Sequence, residues 1–179
     1  NYLKGDQDPE AFLQNAVAEA DEYAGFNLLV GTVNSLWYLT NSSSCNPPVP
    51  QCLAPGIYGL SNALLDTPWP KVVLGKRRLE PLLNGEPLKH DALAEVVGSR
   101  RLAETAELQQ QGLIQGMDQI LSAQFITAGS YGTRSSTSLW MDRNGDSHWR
   151  ESIFDPAGEV LEQREESFKV EQQQVSTSV

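Results

Sequence analysis

R-S-S-T-S-L-W-M-D at Arg134–Asp142 leads into R-N-G-D at Arg143–Asp146 and then S-H-W-R-E-S-I-F at Ser147–Phe154. Asn-Gly between two runs of β-forming residues is the strongest short hairpin signal a sequence carries. A further turn at Pro156–Gly158 and a third run at Glu166–Val170 extend the hairpin into three strands. Strands joined by hairpins pair antiparallel, and the helical segments expected upstream make the class α+β.

Upstream of the hairpin, Gln124–Ala128 reads as a strand preceded by one or two helical turns at Met117–Leu121. Gly98–Gly116 is polar, Gln-rich and weakly periodic, and is expected to be a connector. Asp91–Val97 is a short helix. Pro70 opens a longer helix to about Leu83, with Val72, Val73, Leu79 and Leu82 as its apolar face and Pro81 bending or shortening it. Pro55-Gly56 is a turn signal, and Ile57–Ser61 is expected as a strand. Phe26–Val30 and Leu36–Thr40 are two strands joined through Gly31–Ser35. Asn41–Pro50, Pro-rich with three serines in a row, reads as an exposed loop. At the start, Asp8-Pro9-Glu10 supplies a capping acid and a proline in the first helical position. Phe12, Leu13, Ala16, Val17, Ala20 and Tyr23 then mark one buried face, with Gly25 as the stop. Residues 1–170 are read as one domain and 171–179 as a frayed polar tail.

Composition removes several classes of function. Apolar residues make up 40% and charged residues 20% of 179, which suits a folded core. A net charge of −10 and a pI near 4.6 argue against nucleic acid, whose binding depends on Lys and Arg. No apolar run approaches the roughly 18 residues of a membrane span. Two cysteines, Cys45 and Cys52, are too few for a disulfide scaffold, and their Cys-x6-Cys spacing is wider than a zinc knuckle, so no metal and no cofactor is expected. Neither His90 nor His148 is near a cysteine in sequence, so a Cys–His nucleophile pair is disfavoured. The Asn41-Ser42-Ser43 sequon carries little weight without a secretory context.

Two stretches remain that could carry chemistry. Gly56–Val73 reads G-I-Y-G-L-S-N-A-L-L-D-T-P-W-P-K-V-V, where prolines on both sides of Trp69 hold Thr67 and Trp69 extended and stiffen the chain leaving Asn62. Ser130–Thr137 reads S-Y-G-T-R-S-S-T and sets one guanidinium, Arg134, among hydroxyls. Such a fork suits a carboxylate or phosphate. The plainer readings are a turn asparagine at Asn62, a core plug at Trp69 and an exposed edge strand after Gly132.

Together these motifs resemble the NRDE family, also called the transport and Golgi organisation 2 family. F-N-L-L-V-G at Phe26–Gly31, L-W-Y at Leu36–Tyr38 and S-I-F-D-P at Ser152–Pro156 fit the same pattern, so the resemblance runs from the first helix to Val170. Family members begin Met-Cys and carry an Asn-Arg-Asp-Glu tetrad soon after. This sequence has neither, and the expectation is a member lacking its N-terminal third, with open sheet edges and any targeting signal outside the chain. The family is similar to N-terminal-nucleophile (Ntn) hydrolases, which implies a four-layer αββα sandwich with antiparallel sheets.

In that class the free α-amino group, of pKa about 8, acts as base for the first side chain. The resemblance implies hydrolysis of a small amide by an N-terminal Cys, which Asn1 cannot replace, so the chain as given is expected to be inactive. It further implies that Asn62 is the oxyanion donor and that Arg134 sits beside the nucleophile. Tyr131, Thr133, Ser135 and Asp66 are the expected substrate contacts, and a cytoplasmic setting is expected. The alternative is a non-catalytic protein that handles haem or lipid, linked to secretion and Golgi organisation. Haem would need an axial His, Cys, Met or Tyr, and the sequence singles none out.

Overall fold

A computed structural model describes residues 2–42, 47–85, 87–114 and 116–170; Ser43 of the sequon, Cys45 and the 171–179 tail lie outside them. The described chain is mixed α and β, with antiparallel sheets. It divides into two compact units, Asn1–Thr67 and Pro68–Val179.

In the first unit Asp8 caps helix α1, Pro9–Ala18, its carboxylate accepting from the Glu10 and Ala11 amides. The helix stops at Ala18, short of the expected Tyr23, because the chain tightens into a 3-10 turn at Ala20–Glu22. Strands β1 (Asn27–Gly31), β2 (Leu36–Thr40) and β3 (Gln51–Leu53) form an antiparallel sheet in that order. Leu13 from α1, Val30 from β1 and Leu39 from β2 make the core, with Phe12, Val17 and Trp37 against it.

The expected strand at Ile57–Ser61 does not form. Its backbone is used within its own loop: the Gly59 amide donates to Asp66 Oδ1 and the Gly59 carbonyl accepts from the Asp66 amide. The third place in the sheet goes to Gln51–Leu53, paired with Leu36–Tyr38. Asn41, expected in an exposed loop, is instead a structural tie. Its Oδ1 accepts from the Phe26 amide at 2.7 Å and its Nδ2 donates to the carbonyl of buried Ala20 at 3.0 Å.

In the second unit Pro70 opens α2, Pro70–Leu83, and its missing amide costs nothing in the first turn. Trp69 just before it is extended, as a residue preceding proline should be. Pro81 lies in the last turn, and the helix ends two residues later. Helix α3, His90–Val97, packs between α2 and the sheet below. The expected Gly98–Gly116 connector contains a helix, α4, Thr105–Gln110. Its capping box is built from two glutamates, Glu104 and Glu107, and it buries Leu108. Helix α5, Met117–Leu121, follows. Of Gln124–Ala128 only β4, Thr127–Ala128, pairs, with β5 at Tyr131–Gly132. Thr133 closes this small hairpin by accepting from the Ile126 amide through Oγ1 and donating its own amide to the Ile126 carbonyl, both at 2.9 Å.

The three-strand meander is present as β6 (Ser135–Met141), β7 (Asp146–Phe154) and β8 (Val160–Lys169). The turn between β6 and β7, residues 142–145, has Gly145 at φ 83° and Asp142 accepting from the Asn144 and Asp146 amides. Strand β8 begins six residues earlier than expected. Every residue in it is exposed, so its sequence lacks the apolar alternation that would have marked it.

Two substitutions test these ties by urea unfolding. Asn41→Ala strips partners from a buried carbonyl and an amide, and should destabilise by about 2–3 kcal/mol, with Asn41→Asp no milder because its second carboxylate oxygen would face the Ala20, Tyr23 and Ala24 carbonyls. Thr133→Val leaves the Ile126 amide unpaired and should cost about 1 kcal/mol. Unchanged midpoints would contradict these assignments.

Candidate functional site

Asn62 sits on a loop that is tied down on its C-terminal side. The Tyr38 hydroxyl, at the end of a 4%-exposed side chain, donates to Asn27 Oδ1 and accepts from the Leu65 amide at 3.2 Å. Asn27 Nδ2 donates to the Ala63 carbonyl at 3.1 Å. Asp66 closes the loop onto Gly59 at φ 58°, a left-handed conformation that Asp tolerates. The Asn62 carboxamide itself is exposed and makes no hydrogen bond among the described residues. Of the first unit's expected site residues, Asn62 is therefore presented to solvent, while the Asp66 carboxylate is engaged with backbone.

The Ser130–Thr137 residues divide the same way in the second unit. Tyr131 pairs with Ala128 in β5 and is 54% exposed; Ser135 opens β6 opposite Ile153 and is exposed. The Thr133 hydroxyl is occupied by the Ile126 amide. Arg134 lends its carbonyl to the Phe154 amide at 2.9 Å and leaves its guanidinium exposed, unpaired among the described residues. Tyr131, Arg134 and Ser135 are thus available to a ligand.

Sequence reasoning missed a cleft of about 640 Å³ in the second unit, between α3 and the sheet. Strand register builds its floor: Ser136 pairs with Ser152 and Ser138 with Arg150, and alternation sends these side chains toward the helix. His90, at the first turn of α3, has Nδ1 2.7 Å from Ser138 Oγ and its ring 4.3 Å from Trp140, which stacks on His148. Burial, then the neighbouring Arg150 and His148 charges, push the His90 pKa down against the pull of Glu165 and Asp91, favouring neutral imidazole. Arg150 pairs with Asp91 and, at 2.6 Å, with Glu165. Burial would lower its pKa, but the two carboxylates outweigh it. The available signal was the polar i, i+2 spacing on both arms of the hairpin, which composition alone reads as a wet face.

The first unit carries an apolar groove of about 620 Å³ along α1 and β1, with Phe12, Ala16, Tyr23, Phe26 and Leu28 among its walls. Among the described residues no three His, Cys, Asp or Glu side chains converge as a metal site would require, and no helix is long and apolar enough to cross a membrane.

The model of the Transport and Golgi organisation 2 family matches residues 1–156. A Bos taurus relative, "Transport and Golgi organization protein 2 homolog", is 34% identical over 157 residues, 80% of this chain and 56% of its own. The Mus musculus "Transport and Golgi organization 2 homolog" is 32% identical over 158 residues, 81% of this chain and 56% of its own. The chain thus spans a little over half the length of these curated relatives. With the motif resemblance, the family-model match over residues 1–156 and these identities in agreement, the chain belongs to the Transport and Golgi organisation 2 family.

Proposed function

We propose that residues 1–170 are the C-terminal two-thirds of an Ntn-hydrolase-like αββα domain whose longer form hydrolyses a small amide. The observation that carries this reading is Asn62: a carboxamide left exposed and unengaged at the head of a loop whose following residues are held by Tyr38, Asn27 and Asp66. The backbone beneath that donor is held on its C-terminal side, which supports its use as an oxyanion donor once a substrate orients the carboxamide.

In this mechanism a leading Cys, ahead of Asn1 in the longer chain, gives its thiol proton to its own α-amino group. The thiolate attacks the amide carbonyl carbon. Asn62 Nδ2 donates to the oxygen as negative charge builds there. Collapse of the tetrahedral intermediate breaks the C–N bond, the departing amine takes the proton from the α-ammonium, and a thioester remains. Water then attacks the thioester, with the α-amino group again as base, and releases the acid. Arg134 stabilises the thiolate or a substrate carboxylate. Tyr131 and Ser135 contact the substrate through exposed hydroxyls, while Thr133 and Asp66 serve the site by holding the backbone on which these groups stand.

The test uses a longer chain with the family's Met-Cys start and Asn-Arg-Asp-Glu tetrad preceding Asn1, assayed on a panel of small amides. Replacing the leading Cys with Ala should abolish turnover. Asn62→Ala should lower kcat by about 100- to 1,000-fold with KM little changed, because the oxyanion exists only beyond the ground state. No turnover on any amide, together with stoichiometric binding of haem or a lipid that survives the Cys replacement, would overturn the hydrolase in favour of a handling protein.

A further inference from the structure

The interface between α3 and its sheet departs from ordinary helix-on-sheet packing. Such interfaces are filled by interlocking apolar side chains at the density of organic crystals. Here the sheet offers Ser136 and Ser138 to the helix, and a cleft of about 640 Å³ stands open above them. That is within the range of small-molecule sites, roughly 300–1,000 Å³. Phe125 and Phe154, in edge-to-face contact at 4.8 Å, give the cleft an aromatic wall.

Two guanidiniums border the opening, Arg78 and Arg100. Arg78 donates to the Glu95 carbonyl at 2.9 Å, and Arg100 to the Gly158 carbonyl at 3.1 Å. Among the described residues neither has a carboxylate partner, in contrast to Arg101, Arg150 and Arg164, each of which does. Arg100 also lies 4.9 Å from the Phe125 ring centroid, so its head is held between backbone and an aromatic face. Gly158 makes that possible: a Cβ there would come within 2.7 Å of the Arg100 guanidinium and 2.9 Å of Phe125. The one carboxylate lining the cleft is Glu95, and Asp91 and Glu165 are already spent on Arg150.

We propose that this cleft binds a small organic anion, a carboxylate or phosphate head on a flat apolar body. The head takes the free donors of Arg78 and Arg100, with the Ser136 hydroxyl completing its hydrogen bonds beside the His90–Ser138 pair, and the body lies against Phe125 and Phe154. Neither Asn62 nor Arg134 takes part, so the site stands or falls apart from amide hydrolysis.

Benzoate and phenyl phosphate serve as probes, titrated into the 15N-labelled chain and followed by amide chemical shifts, with benzamide as the neutral control of the same shape. Saturable shifts are expected at Arg100, Ser136, Ser138 and Gly158 with at least one of the anions and not with benzamide; the tighter anion identifies the head. Arg100→Gln and Arg78→Gln should each weaken binding by about tenfold, the scale of one charge-assisted contact. Both arginines are exposed, and a spectrum unchanged outside the cleft verifies the fold of each variant; if one fails that check, the other decides. Asn62→Ala should leave anion binding untouched. Equal binding of benzamide, shifts confined to other surfaces, or unaltered affinity in the folded arginine variants would overturn the proposal.

Discussion

A backbone amide or carbonyl withdrawn from water without a partner costs about 1–3 kcal/mol, and long parts of this chain are neither helix nor strand. Side chains meet that demand. Asn41 serves Phe26 and Ala20, Tyr38 and Asn27 serve Leu65 and Ala63, and Asp66 serves Gly59. In the second unit Ser122 bridges the Ala103 amide and the Gln119 carbonyl, and the Gln124 amide nitrogen reaches the Lys71 carbonyl. Lys71 in turn gives its ammonium to the Leu121 carbonyl, and burial lowers its pKa. These ties set where the irregular segments run. The exposed Asn62 is a consequence of what its engaged neighbours do.

The same constraint explains which parts of the fold were legible. Helix α1 announced itself through a local cap and a local period, and α2 through Pro70; both signals act within a few residues. The hairpin announced itself through Asn144-Gly145. Ile57–Ser61 has strand composition, but its backbone closes onto Asp66, a partner seven residues from Gly59 that propensity does not see. Strand β8 is held by ladder bonds to β7 and by cross-strand pairs such as Arg150 with Glu165, so it needs no apolar face. Its charged residues also suit an edge, where they oppose further pairing. Helix α4 begins at a glutamate where Ser, Thr, Asp or Asn would have been the recognisable cap.

The candidate site was legible where it lay in one stretch and hidden where it depended on pairing. Asn62 and Arg134 stand out because proline, glycine and hydroxyl neighbours mark them in the text. The α3 cleft brings together residues from Arg78 to Gly158, and only strand register sets Ser136 beside Ser152 and Ser138 beside Arg150. In the folded unit His90 Nδ1 meets Ser138. No spacing rule links positions 90 and 138.

The chain's charge of −10 excludes one kind of anion and not another. A nucleic acid is bound by neutralising many phosphates over tens of ångströms, and an acidic surface opposes it at each step. A small anion senses only the charges within about a Debye length, roughly 8 Å at physiological salt. On that scale the ledger is local: Arg101 is met by Glu107, Arg164 by Glu162 and Arg150 by Asp91 and Glu165. Arg78 and Arg100 are held by carbonyls, which orient a guanidinium without cancelling its charge. An acidic protein can therefore keep two guanidiniums without a carboxylate partner at a cleft whose lining holds a single carboxylate, Glu95.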